Sequence, residues 1–457
     1  MDNKKQVQIN RGTLLDVLKI ALPLILASGC HALNMFIDRL MLTRYSQASA
    51  AASFSGGLTN FTVACFFVGV IGYTGTFVAQ YAGAKQYNRI GITVWQGFFL
   101  ALASGLLVAT GILWAKPFFS IFSHAPEVLE QEICYFRVLS GGVVVFLSSC
   151  AFSCFWTGRG YTKMVLAISA TVVLCNVPLN YLLIYGRGVI PEMGIVGAGL
   201  GTIFSEFIGL CIYITFFLSR PYRLRFNTAR IVFDWDLIKR MLYYGVPNGV
   251  QLFLDMVAFN TFCIMLGYYG VAVHEAAGIA FGINNIAFCP VLGIGQTAAV
   301  LVGQAIGAGD VKLARKSVLS AFILITIYSL GMIVLFSGFQ DLVLAPFVRT
   351  GDTAQLESLE IAKKMLLFIC AYLLFDGGNI VLSNALRGAG DTRFTMWVFG
   401  LFGVLFFAVP CVVMCVSGYP WWALWVALDG YILLLSVIFY SRYRQGKWEK
   451  MKVIEAI

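Results

Sequence analysis

Apolar runs of bilayer length recur from one end of the chain to the other, and that recurrence limits what it can become. They lie near residues 17–38, 54–80, 93–115, 132–156, 163–185, 194–218, 240–268, 277–303, 317–338, 363–386, 395–416 and 420–440. A run of this length reads as a membrane-crossing helix. Lipid cannot satisfy open backbone, so only helices or a closed barrel span it, and the alternation of barrel strands is absent. The expected fold is an all-α polytopic membrane protein with twelve transmembrane helices. Composition agrees: 59% of the 457 residues are hydrophobic and 12% are charged, whereas a soluble chain carries roughly twice that charged share. No polar segment exceeds a short loop, so no soluble domain is expected.

The net charge of +10 is unevenly placed. With the N-terminus inside, 24 basic residues fall on the cytoplasmic side, from Lys4, Lys5 and Arg11 through the Arg220–Arg240 cluster to the tail Arg442–Lys452. Seven fall outside (Arg39, Arg44, Lys116, Arg187, Arg349, Lys363 and Lys364), and Arg137 lies within a span. The positive-inside rule then predicts a multi-pass protein with both termini cytoplasmic. The basic balance reads as topology and attraction to anionic lipid, not as a nucleic-acid footprint. The first apolar run is full-length and leads straight into more spans, unlike a cleaved signal.

Enzyme chemistry finds little support. The three histidines form no HExxH or ligand cluster, and no nucleophile–base constellation accompanies them. The GRG and GAG sequences follow spans with no strand before them, which excludes a nucleotide fold. Nearly all twelve cysteines sit within spans and read as small packing residues. No cofactor is expected.

The chain repeats itself. ALPLIL at Pro23 matches YGVPNG at Pro247 and QYAGA at Gln80 matches QAIGA at Gln304, with 247 − 23 = 304 − 80 = 224. GRGYTK at 158–163 matches GAGDTR at 388–393, an offset of 230. Matches in register signal duplication. The expected division is an N-lobe at 1–219 (helices 1–6), a basic cytoplasmic interlobe loop at 220–239, and a C-lobe at 240–457 (helices 7–12 and tail). Two pseudo-symmetric six-helix lobes enter the membrane in the same direction, with a site between them, as in transporters.

A charge near a bilayer centre costs roughly 2.5–3.5 kcal/mol on insertion scales. Asp38, Arg137, Glu206, Asp255, Asp376 and Asp429 therefore stand out. Several have polar company one turn away: Asn34 with Asp38, Asn176 with Asn180, Gln251 with Asp255, Tyr372 with Asp376, and Asn379 just beyond. Spacing i,i+4 puts each pair on one helix face, so each stripe can turn from lipid toward a wet or cation-filled cavity. Asp255 and Asp376 are deepest. Arg137 and Glu206 read as an ion pair within a lobe or as snorkelling residues, and Asp429 as structural.

The two six-span halves, the GA motifs after the second and eighth spans, NVPLNYLLIYG in the fifth and LRGAGDTR after the tenth resemble the MATE (multidrug and toxic compound extrusion) transporters. The likeness runs the length of the chain. It implies a first-helix acid at Asp38, fifth-helix asparagines at Asn176 and Asn180, and a sixth-helix hydroxyl of the N-lobe cation site at Thr202. Ile184 departs from members with a second aspartate there. Asp255 and Asp376 fall where the NorM-like branch carries its seventh- and tenth-helix acids, the seventh usually Glu, and Tyr372 matches a tyrosine of that cation site.

The resemblance implies an antiporter, not an enzyme, exporting cationic amphipathic organic compounds from a bacterial cell (inner) membrane in exchange for Na⁺ or H⁺. Na⁺ is favoured, at Asp255, Asp376 and Tyr372. The expected state is a monomer, and the expected partners are small organic cations and the bilayer. A flippase of lipid-linked sugars on the same fold is the alternative; it typically wants a basic cavity and extra spans.

Overall fold

A computed structural model describes residues 12–121, 125–186, 191–347 and 353–455. Lys4, Lys5, Arg11, Arg187 and Arg349 of the charge count lie outside these. Among the described residues, twelve helices are long and apolar enough to cross a membrane: α1 (Leu14–Tyr45), α2 (Gln47–Gly83), α3 (Tyr87–Phe119), α4 (Pro126–Thr157), α5 (Thr162–Tyr185), α6 (Gly194–Phe217), α7 (Trp235–Gly267), α8 (Val271–Gly307), α9 (Val311–Gly338), α10 (Gln355–Ala389), α11 (Thr392–Val416) and α12 (Trp421–Arg444). No strand occurs among the described residues. Large side chains such as Leu106, Leu113, Ile286 and Val416 stand exposed on the helices. So much uncovered apolar surface suits lipid rather than water.

Helix packing follows membrane rules, in which small residues let backbones approach. Gly197 of α6 lies against the Leu183 carbonyl of α5, where a Cβ would not fit. The duplicated turns close alike: Tyr161 N donates to Trp156 O and Asp391 N to Leu386 O, each at 2.9 Å. Both turns pass through a left-handed glycine, Gly160 (φ 78°) and Gly390 (φ 120°). This six-to-one closure is a helix C-terminus for which glycine is suited.

Packing divides the chain into two units. The N-unit comprises Leu26–Gly249 with Val453–Ile457, and the C-unit comprises Met1–Ile25 with Val250–Lys452. The cut differs from the sequence halves, because it runs through α1 and α7 instead of through the loop at 220–239. It falls two residues past each repeat proline, Pro23 and Pro247, and the repeat offset holds, 249 − 25 = 224. Within the C-unit, Val17, Ile20, Ala21 and Leu24 of α1 join Val291, Ile294 and Ala298 of α8 in the core. Within the N-unit, Leu237 and Met241 of α7 join the Trp95–Phe152–Phe217 aromatic core. Asn248 Nδ2 there donates to Gly69 O at 2.6 Å. A proline removes an i→i−4 bond and kinks a helix, so each half-helix can serve a different unit.

The interlobe loop is docked, not slack. Residues Arg220–Phe226 form a short helix. Trp95 Nε1 donates to Thr228 O at 2.9 Å and Gln96 Nε2 to Val232 O at 2.7 Å. Arg137 and Glu206 do not pair with each other: Arg137 Nε donates to Ile112 O at 3.1 Å, and Glu206 hydrogen-bonds Ser149. Arg137 is exposed, so it needs no buried counter-charge.

Candidate cation sites

In the N-unit, three helices converge on one carboxylate. Asp38 of α1 accepts from Asn180 Nδ2 of α5 at one oxygen and from Thr202 Oγ1 of α6, at 3.2 Å, at the other. Asn180 Nδ2 also donates to Asn176 Oδ1 at 2.8 Å, one turn away on the same face. Gly201 makes room for this arrangement, since a Cβ there would overlap Asn180 Oδ1. Asn34, Asn176 and Asn180 are buried and Asp38 is half-buried. The Oδ1 atoms of Asn34 and Asn180 are buried without a hydrogen-bond partner. A buried carbonyl left unsatisfied calls for a water or an ion. The group thus gathers one negative charge and several neutral oxygens.

The C-unit is built on a different plan. Gln251 hydrogen-bonds Asp255 on α7, and its Oε1 is buried without a partner. Asp255 lies within electrostatic reach of Asp376 on α10 and of Arg387. Tyr372, one turn before Asp376, is 5% exposed and hydrogen-bonds Asn284 of α8. Tyr431 of α12 lies near both acids. Two carboxylates, two phenols and two amides from four helices therefore share one region.

The structure brings Asp38, Asn176, Asn180 and Thr202 into one hydrogen-bonded group, with Asn34 a turn away from Asp38. It brings Gln251, Asp255, Asp376 and Tyr372 into a second group, in which Gln251 bonds Asp255 and the charge of Asp376 reaches both Asp255 and Tyr372. Asn379 Nδ2 donates to Ile432 O at 3.0 Å and so ties α10 to α12, while its Oδ1 is buried with no hydrogen-bond partner. Sequence reasoning missed Tyr431 and Asn284. No acid lies one turn away on either helix, so no local pattern marks them. Arg387 ends α10, and its charge reaches Asp255.

Twelve spans in two repeated sets, each enclosing a half-buried acid, define a polytopic membrane transport protein. The MatE family model matches residues 23–182 and 247–413, two stretches that begin at the repeat prolines and together cover well over half of the chain. The chain belongs to the MatE family and is a multi-pass membrane protein.

Among relatives, it is 28% identical over 445 residues to a probable multidrug resistance protein NorM of Photorhabdus laumondii, covering 94% of this chain and 96% of that one. It is 23% identical over 446 residues to the probable NorM of Thermotoga maritima, covering 96% and 94%. An outward-facing multidrug resistance MATE family transporter of the MOP superfamily superposes with a TM-score of 0.87 at 17% identity, covering 99% of this chain and 100% of that one. A MOP superfamily transporter from Pyrococcus furiosus, whose binding pocket is of reversed polarity, gives 0.87 at 16% identity with the same coverage. A eukaryotic MATE transporter gives 0.82 at 16% identity, covering 95% and 96%. At these identities the likeness establishes the fold, and cargo is decided by sites rather than by fold.

Proposed function

We propose that this protein is a multidrug efflux antiporter that exports cationic amphipathic organic compounds in exchange for Na⁺ or H⁺. The observation that carries the reading is the placement of half-buried carboxylates among uncharged oxygen ligands in both repeats of a MatE-family chain. In the C-unit, Asp255 and Asp376 repel each other across a low-dielectric region. A bound cation relieves that repulsion, and Tyr372, Tyr431 and Asn284 offer neutral oxygens to it. In the N-unit, Asp38 with Asn180, Thr202, Asn176 and Asn34 holds a single charge. Hard oxygen ligands of this kind suit Na⁺, and the carboxylates also accept protons.

Coupling requires the ion and the organic cation to favour different states of the transporter. Ion binding favours the outward-facing state that releases the organic cation, and organic-cation binding favours the ion-released state. One charge crossing 100 mV supplies about 2.3 kcal/mol, near fifty-fold in gradient. The proposed setting is a bacterial inner membrane, as a monomer with both termini cytoplasmic. The support is the NorM-named relatives and the basic excess of one set of loops.

Ethidium efflux from proteoliposomes tests this, with sodium and proton gradients imposed separately on wild type, Asp376→Asn, Asp255→Asn and Asp38→Asn. The expected result is sodium-driven export lost in Asp376→Asn and Asp255→Asn. Export driven only by a pH gradient and lost in Asp38→Asn would move coupling to the N-unit. No export under either gradient would overturn the reading.

A further inference from the structure

A third membrane acid of the C-unit lies outside the coupling set and faces a groove. Between α10 and α12 an open cleft of about 560 Å³ is lined by Lys364, Leu367, Phe368, Trp421, Trp422 and Asp429. Its volume falls within the range of small-molecule sites, ~300–1,000 Å³. Phe368 meets Trp421 edge-on at 6.5 Å and stacks near Trp425 at 6.0 Å, which fixes an aromatic wall. Trp422 and Leu367 are each 50% exposed, so the wall is uncovered. Asp429 lies eight residues below Trp421, ~12 Å along the helix. Its Oδ1 is buried with no hydrogen-bond partner.

An ionisable side chain at membrane depth ordinarily has a partner or a task, and no hydrogen bond explains this one. Tyr372 connects it to the site already described, since the charges of both Asp376 and Asp429 act on its phenol. The groove therefore combines flat π-faces, a carboxylate at its floor and a lysine at its rim. Aromatic faces and a half-buried carboxylate together recognise an organic cation with a flat apolar body. Lys364 would repel a cation at the mouth, which directs the charged end toward Asp429.

We propose that the α10–α12 groove is a binding site for lipophilic aromatic cations, with Asp429 as counter-ion and Phe368, Trp421 and Trp422 as the stacking wall. Because the charges of Asp429 and Asp376 both reach Tyr372, the site adjoins the C-unit coupling acids without sharing them. The cargo chemistry rests on the efflux reading. The test is binding rather than transport, so its failure would leave that reading standing.

The probe is ethidium, titrated onto purified protein in phosphatidylcholine–phosphatidylglycerol nanodiscs. Binding is read as energy transfer from the tryptophan emission that Trp422→Phe removes. Asp429→Asn should weaken this binding about tenfold, the equivalent of ~1.4 kcal/mol. Phe368→Ala should weaken it several-fold, Asp429→Glu should retain it, and Asp376→Asn should keep it within a few-fold. An Asp429→Asn protein that binds like wild type would overturn the proposal. So would a signal lost in Asp376→Asn but kept in Asp429→Asn, or a neutral phenanthridine that competes as well as ethidium.

Discussion

The N-unit and the C-unit stem from one repeated sequence but solve the problem of membrane charge differently. Around Asp38, a single carboxylate is held by Asn180 and Thr202 in direct hydrogen bonds. Around Asp255 and Asp376, two carboxylates lie near each other with Arg387 in reach. The duplicated turns show the same divergence. In the N-unit, Arg159 is 8% exposed, and its guanidinium carbon sits 3.7 Å from the Phe155 ring centre and 4.5 Å from that of Phe226. Its Nε donates to Phe155 O at 2.8 Å, and burial lowers its pKa from the usual arginine range to about 10. In the C-unit the equivalent turn presents Asp391, bound by Arg442 through bonds of 2.7 and 3.2 Å. Identical backbone closures thus support a cation held by rings in one copy and an ion pair in the other. Duplication preserves geometry, and each copy then balances its own charge.

Breaking the ion pair should cost most. Arg442→Ala leaves Asp391, 5% exposed, buried without its guanidinium partner, a loss of about 3–5 kcal/mol. Thermal unfolding in detergent would read this as a large fall in Tm, and a Tm within a degree of wild type would show that water replaces the arginine. A smaller effect is expected where the N-unit site is built. Gly201→Ala pushes a methyl into Asn180 Oδ1, costing about 1–3 kcal/mol. It should also weaken cation binding that depends on Asp38 while leaving binding that depends on Asp376 unaltered, which isothermal titration in the two Asp→Asn backgrounds separates. The smallest change is Arg159→Lys, which keeps the charge and loses the planar stack, about 0.5–2 kcal/mol. An equal loss in Arg159→Lys and Arg159→Met would show that the planar shape of the guanidinium, not its charge, fills the ring cage.

The two sites were unequally legible in the sequence. The pairs Gln251–Asp255 and Asn176–Asn180 were readable because i,i+4 spacing is a property of one helix. Asp38 meeting Asn180 and Thr202 joins α1, α5 and α6, and residue spacing alone does not predict it; only the likeness to MATE transporters pointed there. Tyr431 and Asn284 carried no local mark at all. Asn379 divides its amide: its Nδ2 is committed to Ile432 O across the α10–α12 contact, while its Oδ1 is buried with no hydrogen-bond partner.

What the sequence determined by itself was the set of twelve spans, the duplication, and the presence of acids too costly to leave in lipid, because hydropathy and helical period are written in consecutive residues. Tertiary structure decided which faces meet. It placed the first halves of α1 and α7 in the opposite units, packed the 220–239 loop onto the N-unit, and left Asp429 facing a groove instead of a partner. Those outcomes depend on contacts between residues far apart in the chain, where shape and backbone approach select among helix faces of nearly equal hydropathy.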